Sequence, residues 1–377
     1  MRKVYLDNAA TTPVSDEVIE SMIKNLKQSY GNPSSSHHFG REAKGQLEEA
    51  RRKIATAIHA KPSQICFTSC GTESNNSVLK NAFKSLLINR ILLSPIEHPS
   101  IHTTIKEVDQ DIEIVYLPID KFGSIKIDEL EKLLASSSKK TLVSVMHANN
   151  EVGALNDIKA ICKISKKYNA FVHSDMVQTM GHLPLDMEDL DIDFVAASAH
   201  KFHGPKGVGF LYIKNPNSLK PFISGGSQER GMRSGTENMA SIIGMAVALE
   251  HAVKNISEDE RYVNNIRKSM AEKLVVAIPD IEIITNLDYS LYTVLTVGFP
   301  EIMSNDMLTF QLDMKGIACS SGSACSSGAN KGSHVLEALN YTKERKAIRF
   351  SFSKFNKMDE IDYAVEKIVE LHNETVK

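Results

Sequence analysis

The chain has 377 residues and a formal net charge of −2. That length suits a large core plus a smaller one, and the charge lacks the basic excess of a nucleic-acid or anionic-membrane binder. No stretch approaches the roughly 20 consecutive apolar residues of a spanning helix, and the opening MRKVYLDNAATTP has no apolar leader core, so a soluble, cytoplasmic protein is expected. Five cysteines without paired CxxC spacing, Cys66, Cys70, Cys162, Cys319 and Cys325, argue against both a disulfide framework and a metal site, leaving reduced thiols.

In chain order, REAKGQLEEARRKIATAIHA has the apolar spacing of a helix, QICFTS predicts a strand, and SVLKNAFKSLL predicts a helix again. RILLSP, EIVYLP and TLVSVMH read as strands, DIKAICKISKKY as a helix, and NAFVHSD, DFVAAS and VGFLYI as further strands. This alternation predicts an α/β fold with a mainly parallel mixed sheet flanked by helices. A helical linker, ENMASIIGMAVALEHAVKN, precedes a smaller α+β part: helix ISEDERYVNNIRKSMAEKLVVAI, strands IEIIT and TVLTVGF, strand IRFSF, and the final helix MDEIDYAVEKIVELHN. The expected division is a large domain over 15–256 and a small one built from 1–14 and 257–377, with a Gly/Ser-rich loop at about 317–332.

Ligands of open α/β sheets bind beyond the carboxyl ends of the strands, so residues that follow strands are the candidates for chemistry. After QICFTS, Gly71 and Thr72 open a helix whose first N–H groups can hold an anion such as phosphate, or can be closed by a routine capping box. Asp175 closes NAFVHSD, where a carboxylate can pair with a ligand or cap the next helix. Lys201, in SAHKFHGPKG, follows DFVAAS; desolvation there would favour the neutral, nucleophilic amine, whereas a lysine snorkelling from a strand edge would stay charged. Together an anion cradle, a carboxylate and an amine are the parts that pyridoxal 5'-phosphate requires: phosphate anchor, partner for the pyridine nitrogen and Schiff-base lysine. GIACSSGSACSSGANKG cannot pack as a helix or strand face and reads as a loop exposing Cys325, unless it is only a linker. Cys319 competes with Cys325 as a reactive thiol but abuts the strand-like KGIAC.

Nearly end to end, the chain resembles the cysteine desulfurases of the NifS/IscS type, first-group members of the class-V aminotransferases with a dimeric fold-type I architecture dependent on pyridoxal phosphate. The likeness runs through YLDNAATTP, GNPSSSHHFGREA, FTSCGTESNN, EHPSI, MHANNEVG, HSDMVQTMGHLPLD, SAHKFHGPKGVG, GGSQERGMRSGTEN, SSGSACSSG and IRFSF, in family order. The SSGSAC loop is longer than that of the SufS-like branch. The resemblance implies that Lys201 carries the cofactor and moves the substrate α-proton, that Asp175 pairs with the pyridine nitrogen, and that Gln178 bonds the ring hydroxyl. His98 would stack on the ring and assist proton transfer, and Asn150 would reach ring hydroxyl and substrate. Gly71, Thr72, Ser198 and His200 would bind the phosphate, with Thr236 added from the neighbouring subunit of a homodimer. Arg349 would clamp the carboxylate of L-cysteine, helped by Asn32, and Cys325 would take the sulfur as a persulfide, releasing L-alanine. A sulfur-acceptor protein, either an iron–sulfur scaffold or a tRNA-thiolation enzyme, is the implied partner. A selenocysteine lyase or another fold-type I enzyme would share Lys201 and Asp175 without needing Cys325. The resemblance assigns Cys70 no role; glycine or alanine is common at its position.

Overall fold

The computed structural model describes residues 2–107, 111–303, 307–321, 333–341 and 345–376. Along the chain run β1 (Val4–Tyr5), α1 (Asp16–Gln28), α2 (His38–Ala57), β2 (Ile65–Thr68), α3 (Gly71–Leu86), β3 (Arg90–Leu93), α4 (Pro99–Lys106), β4 (Glu113–Tyr116), α5 (Ile127–Ala135), β5 (Thr141–Ser144), α6 (Ile158–Lys167) and β6 (Phe171–Asp175). There follow α7 (Met187–Leu190), β7 (Phe194–Ser198), β8 (Gly209–Ile213), α8 (Met239–Ala277), β9 (Glu282–Ile283), β10 (Val294–Gly298), α9 (Leu308–Met314), β11 (Ile317–Ala318), α10 (His334–Ala338), β12 (Ala347–Ser351) and α11 (Met358–Val376). The segments expected as strands from QICFTS to VGFLYI become β2 to β8.

These strands form a 7-stranded sheet ordered β2-β8-β7-β6-β5-β3-β4. Pairing is parallel from β4 through β3, β5 and β6 to β7, while β8 runs antiparallel to both β7 and β2. The central strands TLVS and FVAAS are buried at every residue, as expected of a parallel sheet covered on both faces. Two reversals across β8 leave β2 running the same way as β7. The carboxyl ends of β2, β3, β5, β6 and β7 therefore open on one rim.

A second sheet, β12-β10-β9, is antiparallel, and a short parallel pair joins β1 to β11. Val4, Leu6, Phe299, Phe350, Phe352 and Ile368 belong to its core, whereas Ile54, Val143, Val195 and Phe210 belong to the core of the larger sheet. One helix spans both. The linker and the following helix expected from the sequence are a single 39-residue α8, because nothing between Met245 and Ala277 is Gly or Pro; Pro279 forces Ile278 into extended backbone and ends it. Its first half buries Met245 and Leu249 in one core, and its second half buries Ile266 and Leu274 in the other.

Where β8 begins, Gly209 lies flat against the turn that starts α3. A Cβ there would press on the Ala197 carbonyl and sit 3.2 Å from the Cys70 backbone. Gly209→Ala is predicted to destabilise the fold by about 1–3 kcal/mol, lowering the urea midpoint without changing the m-value; an unchanged midpoint would contradict this packing.

Candidate active site

Beyond the rim lies a cavity of about 220 Å³ lined by Gly71, Thr72, His98, Asn150, Asp175, Gln178, Ser198, His200, Lys201 and Arg349, among others. Five strand ends supply most of these residues. β2 leads to Gly71 and Thr72, β3 to His98, β5 to Asn150, β6 to Asp175, and β7 to Ser198, His200 and Lys201.

At one end α3 starts with Gly71, and its N-cap Cys70 makes no side-chain capping bond. The capping box allowed by the sequence is absent there, so the first N–H groups remain available to an anion. Gly71 is required because a Cβ would meet Val177 Cγ2 at 2.6 Å. Ser198 Oγ, buried, has no hydrogen-bond partner among the described residues. A buried hydroxyl without a partner is costly, and a phosphate oxygen at the helix start would satisfy it. His200 Nδ1 lies 3.2 Å from Thr11 Oγ1, and burial, with Lys201 and Lys206 nearby, lowers its pKa to about 4, so it faces the cavity uncharged.

Asp175 is buried. Asn75 Nδ2 donates to its Oδ2 at 2.7 Å and the Val177 N–H to its Oδ1 at 2.9 Å. Opposite, the Lys201 ammonium donates to the backbone carbonyls of Ala9 (2.5 Å) and Ala10 (2.7 Å), and Gln178 Nε2 also donates to the Ala9 carbonyl at 3.0 Å. His98 is the N-cap of α4: its Nδ1 accepts from the Ser100 N–H at 3.1 Å, which leaves the ring proton on Nε2. Burial lowers the His98 pKa; Asp175 opposes the shift, and Lys201 and His334 add to it. Behind it, burial pushes the Glu97 carboxyl well above the usual range, reinforced by Asp175, while its Oε1 accepts from the Met146 N–H at 2.5 Å.

Arg349, on β12, brings the second sheet to the cavity. Its Nη2 donates to Asp7 Oδ1 at 2.7 Å and its Nη1 to the Asn150 carbonyl at 2.8 Å, whereas the buried Nε has no partner among the described residues. Asp7 also accepts from Ser320 Oγ at 2.9 Å. Asn32, expected to help orient Arg349, lies elsewhere: exposed, with Oδ1 accepting from the Ser34 N–H at 2.9 Å, it closes its own turn. Asp7 and Asn150 hold the guanidinium instead. Thr236 is exposed and does not line this cavity within the chain. Cys325 lies outside the described residues, with the described Ser320 and Ser333 on either side; Ser333 Oγ donates to Glu151 Oε2 at 2.5 Å. Burial pushes the Cys66, Cys162 and Cys319 thiols up, which suits inert core residues.

The sequence reading missed Asp7, Asn75, Ser100 and Glu97. Asn75 carried a signal, since it falls four residues after Gly71 and so faces the same way along α3. The donor set fits pyridoxal phosphate: an uncapped helix start with an unsatisfied hydroxyl for the phosphate, a buried carboxylate for a pyridine nitrogen, and an amine between them.

Residues 4–364 match the family model for aminotransferase class-V. A cysteine desulfurase IscS of Dictyoglomus turgidum is 41% identical over 377 residues, spanning 98% of this chain and 95% of the relative. Among solved structures, a NifS-like protein superposes with a TM-score of 0.92 at 40% identity, covering 99% of this chain and 100% of that one. SspA in complex with cysteine gives 0.80 at 30% identity, covering 94% and 100%.

The buried imidazoles have a measurable consequence. Burial lowers the pKa of His173, on β6, from 6.5 to about 4. The unfolded chain takes up that proton first, so stability is full above about pH 6.5 and falls as the pH drops toward 4, by at most about 3 kcal/mol for this group. His173→Gln should therefore show a shallower loss of urea stability between pH 7 and 5 than the wild type; parallel profiles would contradict it.

Proposed function

Since the chain belongs to the class-V aminotransferase family and matches cysteine desulfurases over nearly its whole length, we propose that it works as one through the cavity around Lys201. It is a pyridoxal-phosphate-dependent cysteine desulfurase that converts L-cysteine to L-alanine and passes on the sulfur. The single observation that carries the site assignment is the convergence of Lys201, Asp175 and Arg349 on one cavity whose phosphate end is uncapped.

Bound pyridoxal phosphate supplies an electron sink for the charge left at the substrate α-carbon. The Gly71 and Thr72 N–H groups, Ser198 Oγ and His200 would bind the phosphate, joined by Thr236 of a second copy in a homodimer. The Asp175 carboxylate, fixed by Asn75 and the Val177 N–H, holds the proton on the pyridine nitrogen. Gln178 and Asn150 orient the ring hydroxyl. His98 would face the ring as a neutral imidazole, since its Nδ1 accepts from the Ser100 N–H and its proton is left on Nε2. Arg349 clamps the carboxylate of L-cysteine; Asp7 and the Asn150 carbonyl already hold two of its nitrogens, leaving Nε to donate. The Lys201 amine removes the α-proton and returns it, with the Ala9 and Ala10 carbonyls orienting it between steps.

The Cys325 thiolate then attacks the substrate sulfur. An S–S bond forms as the C–S bond breaks, the electron pair of the broken bond stays with carbon, and a proton completes L-alanine. The raised pKa of Cys319 supports Cys325 as this nucleophile. The persulfide passes to an acceptor protein, an iron–sulfur scaffold or a tRNA-thiolation enzyme. Among the described residues no helix is long and apolar enough to cross a membrane, and the described cysteines are free, which suits a cytoplasmic enzyme.

Mass spectrometry after L-cysteine treatment tests the assignment: one added sulfur is expected on the peptide bearing Cys325, and Cys325→Ala should reduce alanine formation to background. Full turnover in that variant would overturn the persulfide role. Arg349→Lys should raise KM for L-cysteine about ten- to a hundredfold through loss of a charged hydrogen bond, and an unchanged KM would remove Arg349 from the substrate site.

A further inference from the structure

Between β8 and α8, residues 220–227 are exposed, and the segment that follows carries Thr236. Its backbone is unusual. Glu229 (φ 48°, ψ 39°), Arg230 (φ 57°, ψ 32°) and Gly231 (φ 78°) are consecutive left-handed residues, two of them with side chains that disfavour this conformation. Such a run persists only where the surroundings hold it. A cavity of about 230 Å³, lined among others by Thr68, Ser69, Gly235 and Thr236, lies beside it.

Hydrogen bonds from Ser234 Oγ to the Gly226 carbonyl and from the Gly235 N–H to Gln228 Oε1 close the segment on itself, and ion pairs tie it to the rest of the fold. Arg51, on α2 and 2% exposed, grips Glu229 with both amino nitrogens, Nη1 to Oε2 at 2.7 Å and Nη2 to Oε1 at 2.8 Å. The same Nη1 donates to the Ile65 carbonyl at 2.9 Å, the guanidinium lies 4.5 Å from the Phe67 ring centre, and the Phe67 N–H donates to Glu229 Oε2 at 2.8 Å. Four residues on, Arg233 Nε donates to Glu73 Oε1 at 2.9 Å, on the first turn of α3. A buried pair adds little net stability over a well-packed apolar substitute, and its best-attested use is to fix one arrangement among several.

We propose that Arg51 is a positioning residue: through Glu229 it fixes the left-handed turn that sets Thr236 toward the pyridoxal phosphate bound by a second copy of this chain. The inference rests on the dimeric, cofactor-binding function proposed above. Arg51 does not line the cavity around Lys201, and its effect is exerted on the other subunit's site.

The test measures pyridoxal phosphate affinity by titrating the apoenzyme. Arg51→Lys, and separately the milder Glu229→Gln, should weaken affinity at least tenfold in homodimers whose urea midpoint and sedimentation show a folded dimer, and Thr236→Ala combined with either should add little further loss. Mixed dimers then locate the effect. A subunit carrying Arg51→Lys paired with one carrying Lys201→Ala should regain wild-type affinity at its own Lys201, since the intact turn comes from the partner. A subunit carrying both substitutions should weaken the site of a wild-type partner. Unaltered affinity in both homodimeric variants, or a loss that stays in the mutated subunit's own site, would overturn the proposal while leaving the cofactor assignment intact. A wild-type chain that is monomeric or takes up no pyridoxal phosphate would overturn the function beneath it, and this inference with it.

Discussion

The arrangement depends on a short amino-terminal strap. Residues 7–13 run between the two cores and are tied to both by hydrogen bonds. On the small side, the Asn8 N–H donates to the Ser351 carbonyl and the Ser351 N–H to the Leu6 carbonyl, while Asp7 pairs with Arg349. On the large side, the Ala9 and Ala10 carbonyls receive Lys201, Ala9 also receives Gln178, and Thr12 exchanges bonds with the His200 carbonyl and the His203 N–H. Together with α8, which is buried in both cores, and the bond from Arg349 to the Asn150 carbonyl, that strap holds the Arg349 guanidinium and the Lys201 amine in one frame, the kind of fixed geometry that catalysis requires.

Charge around the cavity is arranged as tightly as position. Asp175 supplies a buried carboxylate whose oxygens are already engaged by Asn75 and Val177, so it keeps its orientation whether or not a ligand is bound. Glu97 sits close enough to feel that charge, and burial pushes its carboxyl well above the usual range while its Oε1 anchors the Met146 N–H. The imidazoles of His98 and His200 are held neutral by burial, so hydrogen bonding rather than charge is what they offer.

Much of this was legible in the residues because strand ends are local features. The apolar runs located the strands, and the rule that ligands sit beyond their carboxyl ends selected Gly71, Asp175 and Lys201, which the structure brings to one cavity. Asp7 was not legible, since its meaning comes from Arg349, 342 positions away. Asn32, read from the sequence as a helper of Arg349, has within the chain the local use that an Asn beside Gly and Pro commonly takes, closing its own turn. The continuity of α8 was not legible because its two halves are buried in different cores, a division that belongs to tertiary packing and not to the local pattern.

The central claim is that the amine held against the strap at Ala9 and Ala10 is the one joined to the cofactor. Borohydride reduction of the purified protein, followed by peptide mapping, addresses it directly. The account predicts a phosphopyridoxyl group on the peptide containing Lys201 and none after Lys201→Ala. A stable label on a different lysine, or none while pyridoxal phosphate is bound, would contradict it.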